Sequence, residues 1–135
     1  MIGIEARICA IPLVHVVETM RPRPIEPMAS SPPFVLGLSV VRGAPIPVVD
    51  LGMLIGSHGA APTRFVTLRT DDRRCALAVD SVVGVDVVDA HKLETLPPLL
   101  GDANANVIEA IAPLDARLLV VLRTARIVTN FGASA

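Results

Sequence analysis

Short apolar runs rich in Val and other aliphatics alternate with clusters of Gly, Pro, Asp and charged residues along this 135-residue chain. Apolar runs of this length, punctuated at close intervals by turn residues, are strand signals. They predict strands at residues 6–11 and 14–20 joined at Pro12, at 34–41 and 44–51, and at 64–69 and 75–80. A further run at 81–88 puts Val83, Val85 and Val87 on one face, and closing strands fall at 107–111 and 118–122. The proline-rich stretch 21–33 suits neither a helix interior nor a central strand and reads as a surface connector. Residues 52–56 read as a single helical turn before a polar loop ending near Pro62. Residues 91–100 read as a loop containing Pro97-Pro98, 102–106 as a polar tip, and 124–130 as a short terminal helix. The sum is about ten short strands in an all-β fold, as two small barrels or one sandwich.

Two hairpins carry sharper information. Residues 37–51 spell a strand, an Arg42-Gly43 turn, and a second strand that holds Pro45 and Pro47 and ends in Asp50-Leu51. Gly43 suits a turn position that needs a positive φ, and Arg42 would then project from the apex toward water or a partner. Alternate residues of a strand aim their N–H groups to the same side, so Pro45 and Pro47 strip two donors from one flank. That strand is expected at an edge or at the seam between lobes. In the second hairpin, Asp71-Asp72-Arg73-Arg74 reads as a four-charge turn between the strands 64–69 and 75–80.

Length predicts one domain over residues 1–135, built as one body or as two small lobes, large enough to bury a core without disulfide or metal. The longest uncharged run, 27–41, is shorter than the ~20 residues a membrane helix needs. It also contains Pro32 and Pro33. Glu5 and Arg7 interrupt what a signal peptide would keep apolar, so a cytoplasmic protein is expected. A net charge of -1, three Phe, and no Tyr or Trp argue against nucleic acid and against anionic membrane surfaces. Cys9 and Cys75 are isolated and apolar-flanked, which predicts buried thiols.

The search for catalytic chemistry returns little. Asp50 and Asp80 each follow an apolar strand, but Leu51 and Val82 stand where an aspartic-protease loop needs a hydroxyl residue and a glycine. Each Asp therefore reads as a strand-ending cap. His15, His58 and His91 are far apart and lie in no nucleophile context; no Cys or His pair has metal-ligand spacing, and no glycine-rich loop opens a helix. The expectation is a protein that is not an enzyme and uses no cofactor and no metal. The alternative is a small β-barrel enzyme or ligand-binding protein with a site between the lobes near Asp50 and Asp80. A binding module fits better: Arg42 at an apex follows an apolar strand, and Glu18 is a charge inside the run Val16-Val17-Glu18, where it must face solvent, a partner or a counter-ion.

These segments together resemble the CheW-like domains of bacterial chemotaxis. Ala10-Ile11-Pro12 with Val16-Val17-Glu18 resembles the family's opening strands. Pro33-Phe34-Val35-Leu36-Gly37, with Arg42-Gly43 through Asp50-Leu51, resembles its central signature. Leu77-Ala78-Val79-Asp80-Ser81-Val82, the later Leu96-Pro97-Pro98 and the closing strand 118–122 follow in the family's order. Val40 and Val41 stand where an Asn-Leu pair is common, Pro45 where an aliphatic residue is usual, and Arg123 where an acidic residue is often found. The resemblance implies two five-stranded SH3-like β-barrels packed together. It also implies a non-catalytic adaptor that couples the cytoplasmic tip of chemoreceptors to the regulatory domain of a chemotaxis histidine kinase. By the same resemblance Val16, Glu18, Gly37 and Arg42 match receptor-contact positions, and no residue is assigned to the kinase.

Overall fold

Period-two alternation along the apolar runs resolves into two β-sheets. The computed structural model describes residues 2–4, 7–29, 31–55, 61–82, 84, 94–95, 107–114 and 117–134. Strands β1 (Ile2–Ile4) and β2 (Arg7–Ala10) are followed by a 3-10 turn (Leu13–His15) and β3 (Val16–Met20). Next come β4 (Val35–Val41), β5 (Ala44–Asp50), the single-turn helix α1 (Leu51–Leu54), β6 (Arg64–Thr70), β7 (Arg73–Val79) and β8 (Ser81–Val82). The chain continues through β9 (Glu94–Thr95), β10 (Ile108–Leu114), β11 (Arg117–Leu122), helix α2 (Thr124–Phe131) and β12 (Ala133–Ser134). One sheet runs β8-β1-β2-β11-β10-β9; the other runs β3-β6-β7-β5-β4, with β12 added on β7.

The central strands bury both faces, which is why their sequences are continuously apolar. On β7, Cys75, Leu77 and Val79 face a large cluster that also takes Ile2, Cys9, Val120 and Leu122 from the other sheet and Ile127 and Val128 from α2. Ala76 and Ala78, between them, face a second cluster with Phe65, Val41, Ile46 and Val48. A third, smaller cluster joins Ile8, Ala112 and Leu119 on the far side of the first sheet. Each sheet thus has an apolar layer of its own, and a shared layer glues the two together.

Several expectations change. The strand expected over 14–20 begins at Val16, because Pro12 opens a 3-10 turn and its carbonyl accepts the His15 N–H at 3.0 Å. The four-charge turn contracts to Asp71 and Asp72, with Asp71 at φ +52 and Arg73 and Arg74 already paired in β7. Of the run 81–88, Ser81–Val82 is strand, while Val83, Val85 and Val87 lie outside the described residues. Of the loop expected over 91–100, Glu94–Thr95 instead pairs with β10 as a strand; the rest, His91 included, lies outside the described residues, as do His58 and the tip at 102–106.

β5 is an interior strand of its sheet, which rules out the edge, one of the two places expected for it. It pairs antiparallel with β4 along its length and parallel with β7 at Val48, Val49 and Asp50. The β7 ladder begins only after Pro47. Continued backward, its register would set Pro45 and Ile46 opposite Arg73 and Arg74, and there β12 pairs with β7 instead. The missing donors of Pro45 and Pro47 sit on that β7 side, so the prolines release the first half of β5 from the sheet.

The freed hairpin curls toward β3. The two-sheet, mostly β architecture agrees with the expected fold class; among the described residues no strand ladder joins β3 to β4. The proline-rich connector spans that seam: Glu26 and Leu38 exchange backbone hydrogen bonds of 2.8 and 2.9 Å, and the buried Ser39 hydroxyl donates to the Pro24 carbonyl at 2.5 Å.

Candidate interaction site

The two-residue turn between Val41 and Ala44 has φ +53 at Arg42 and +79 at Gly43. Positive φ at both central residues is the primed turn whose twist matches a hairpin. Glycine adopts it freely, whereas a residue with a Cβ holds it at a cost of about 1–2 kcal/mol. Sequence reasoning found the need at Gly43 and missed it at Arg42.

The curled hairpin brings Arg42 onto Glu18 of β3. Nε donates to Oε2 at 3.0 Å and Nη2 to Oε1 at 2.8 Å, a two-point fork. Parallel charge-assisted bonds of this kind fix orientation as well as distance. The Arg42 side chain remains 66% exposed and that of Glu18 26%, so the pair stands open to a partner. The hydrogen bond from Arg42, aided by the charges of Arg42, Arg23 and Arg74, lowers the Glu18 pKa; Glu18 in turn raises that of Arg42. A carboxylate whose pKa falls on folding adds stability that is fully present above its unfolded pKa and is lost as pH drops through the folded one. Carbon-detected NMR titration is therefore expected to place the Glu18 midpoint below that of an unpaired glutamate, and Arg42→Ala to move it back up.

Glu18 is held from beneath by a residue the sequence reading did not single out. The β3–β6 register shifts between Val16 and Glu18, and the buried Thr67 hydroxyl spans the irregularity. It accepts from the Glu18 N–H and donates to the Glu18 carbonyl, each at 3.2 Å. A hydroxyl residue inside the otherwise apolar run of β6 was the available signal.

The other two positions marked by the resemblance, Val16 and Gly37, are less exposed than Arg42. Val16 is half-buried and packs against the shared core, two positions before Glu18. Gly37 is buried, five residues along β4 from Arg42, at φ +144 beside a register shift. A Cβ there would overlap the Glu26 carbonyl oxygen and come within 2.9 Å of the Pro27 Cα. Gly37 thus lets the connector lie flat on β4. Val17, next to Glu18 in the chain, and Val40, two residues before Arg42, are exposed, as are Leu13 and Val14 on the turn leading into β3.

The remaining candidates take structural parts. Asp50 caps α1, its Oδ1 accepting the Met53 N–H at 3.1 Å. Asp50→Ala is expected to cost about 1 kcal/mol in a denaturation experiment. Asp80 ends β7, where its carbonyl accepts the Thr63 hydroxyl. His15 Nδ1 lies 2.5 Å from the buried Thr124 Oγ1, tying the entry to β3 to the start of α2. Cys9 and Cys75 are buried thiols, and burial pushes the Cys75 thiol up to about 12. Among the described residues no cluster of His, Cys, Asp and Glu has the makings of a metal site, and no helix is long and apolar enough to cross a membrane.

Two sheets share a core, and among the described residues one forked ion pair, Glu18 with Arg42, stands at the surface. The chain belongs to the CheW-like domain family, whose model matches residues 1–131. It is 26% identical over 102 residues to a chemotaxis protein CheW of Rhizobium meliloti, covering 73% of this chain and 66% of that protein, so it spans just under two thirds of that relative's length. It is 25% identical over 121 residues to a chemotaxis protein CheW of Helicobacter pylori, covering 87% of this chain and 73% of the relative. The scaffolding protein TtCheW from Thermoanaerobacter tengcongensis has the same fold, with a TM-score of 0.76 at 23% identity over 90% of this chain and 85% of the other.

Proposed function

We propose that this chain is a cytoplasmic, non-catalytic adaptor of chemotaxis signalling. It would link the cytoplasmic tip of a chemoreceptor to the regulatory domain of a histidine kinase, and so be recruited to receptor arrays at the membrane. Family membership supports the class of function, and the open Glu18–Arg42 fork carries the choice of receptor-facing surface. An arginine held at positive φ has been kept against a local backbone preference, as happens where a side chain serves a contact. Val17 and Val40, close in sequence to Glu18 and Arg42, supply apolar area for a helical partner, with the ion pair setting register. Val16 and Gly37 support this surface from below: one anchors β3 in the core, and the other seats the connector.

Reconstitution tests the proposal. Receptor cytoplasmic fragments and kinase from the same genome are assayed for kinase activity and co-sedimentation, with and without this protein. Receptor-dependent kinase control that requires the protein is the expected result. Its failure to bind either partner would leave the fold without this role.

A further inference from the structure

The surroundings of Glu18 hold more positive charge than one carboxylate balances. Glu18 is level with Thr67 on β6, and Thr67 with Ala76 on β7. Arg74 lies two residues before Ala76 and therefore on the same face of β7. Arg73 belongs to the other face, where its Nη1 donates to the Thr129 carbonyl at 3.0 Å. Arg23 reaches the same neighbourhood from the connector: its Nε lies 3.4 Å from Met20 Sδ, and the next carbonyl, that of Pro24, is held on Ser39 of β4. The charges of both arginines add to that of Arg42 in lowering the Glu18 pKa. Among the described residues neither Arg23 nor Arg74 lies within ion-pair distance of a carboxylate. Three cations from three separate segments thus bear on one anion, and Val17 and Val40, close in sequence to Glu18 and Arg42, are exposed.

We propose that Arg23 and Arg74 extend the Glu18–Arg42 fork into a cationic recognition site for carboxylate side chains on the partner protein. Arg23 and Arg74 meet an acidic residue of the docked partner, while Glu18 keeps Arg42 oriented. This rests on the adaptor reading for the partner's identity, and the charge chemistry stands apart from it. Opposite charges across an interface speed encounter and fix register, and they lose strength with salt because the groups are exposed.

Two probes separate the inference from the reading beneath it. In the first, the affinity of the receptor cytoplasmic fragment is measured against sodium chloride concentration for the wild type, Arg23→Gln, Arg74→Gln and the double variant. Each single change is expected to weaken binding about threefold at low salt, and the double change to flatten the salt dependence. Arg23→Lys and Arg74→Lys should retain most of the affinity, and thermal melts establish that each variant is folded. In the second, a glutamate-rich peptide is titrated while the arginine side-chain N–H signals are followed by NMR, with a glutamine-rich peptide as control. Selective shifts at Arg23 and Arg74 with the glutamate peptide would support the carboxylate site even if no receptor bound. Receptor binding whose affinity and salt dependence are unchanged in the double variant would overturn it, as would equal responses to the two peptides.

Discussion

Gly37→Ala is expected to destabilise the protein by about 2–4 kcal/mol in chemical denaturation, the range for a Cβ forced into backbone at an unfavourable φ. Gly37 has φ +144, and the space a Cβ would take already holds the Glu26 carbonyl. Rigid backbone cannot yield as a flexible side chain would. Relief requires lifting the connector off β4, which breaks the Glu26–Leu38 exchange and the Ser39–Pro24 bond that span the β3–β4 seam. Loosening that seam also frees Arg23, so partner binding should fall further than the population of unfolded protein explains. Gly43→Ala serves as the control: it has positive φ but no atom within 4 Å of the added Cβ, so it carries the conformational cost alone. Equal stability of Gly37→Ala and wild type would mean that the connector does not rest on β4 in solution.

Arg42→Glu is expected to weaken receptor binding about 30-fold or more, the loss typical of an interface anchor whose charge is reversed. The substitution removes the fork and sets a second carboxylate against Glu18. Arg42→Asn sharpens the result. Asparagine tolerates positive φ better than arginine and favours primed turns, which offsets the loss of an exposed ion pair, so it should leave the fold about as stable as wild type while still losing the partner. Affinity lost at unchanged stability would mark Arg42 as kept for contact. Parallel losses would mean that the ion pair mainly holds the hairpin to β3. The exchange Glu18→Arg with Arg42→Glu adds a third arm, because it can restore the pair in reverse. Failure of that variant to recover binding would show that the partner reads the polarity and not the pairing alone.

Much of the fold could be read from the chain, and the reason is local. Strand length, turn chemistry and the two-sided burial of strands such as β7 are written in residues close together, because period-two geometry needs no distant information. The helix at Thr124–Phe131 fell within one residue of its expected end for the same reason. The resemblance to the family drew on the same ordered segments. Its four contact positions could be carried over one by one, without any sign of how they lie relative to one another.

Where the sequence reading went astray, the deciding contact was remote in the chain. Pro45 and Pro47 announced a disrupted ladder, but an edge strand and an interior strand freed over half its length remove the same donors; only β12, arriving from the end of the described chain, distinguishes them. Thr67 looked like any strand threonine until the register shift in β3 exposed the Glu18 backbone to its hydroxyl. Sequence by itself determined an all-β chain with a charged hairpin apex and a lone glutamate in an apolar strand. Tertiary structure decided that the two charges meet, 24 residues apart, and that Gly37 works through the connector's carbonyl. Propensity and pattern act over a few residues, whereas an ion pair or a steric contact depends on where the closed chain brings its segments.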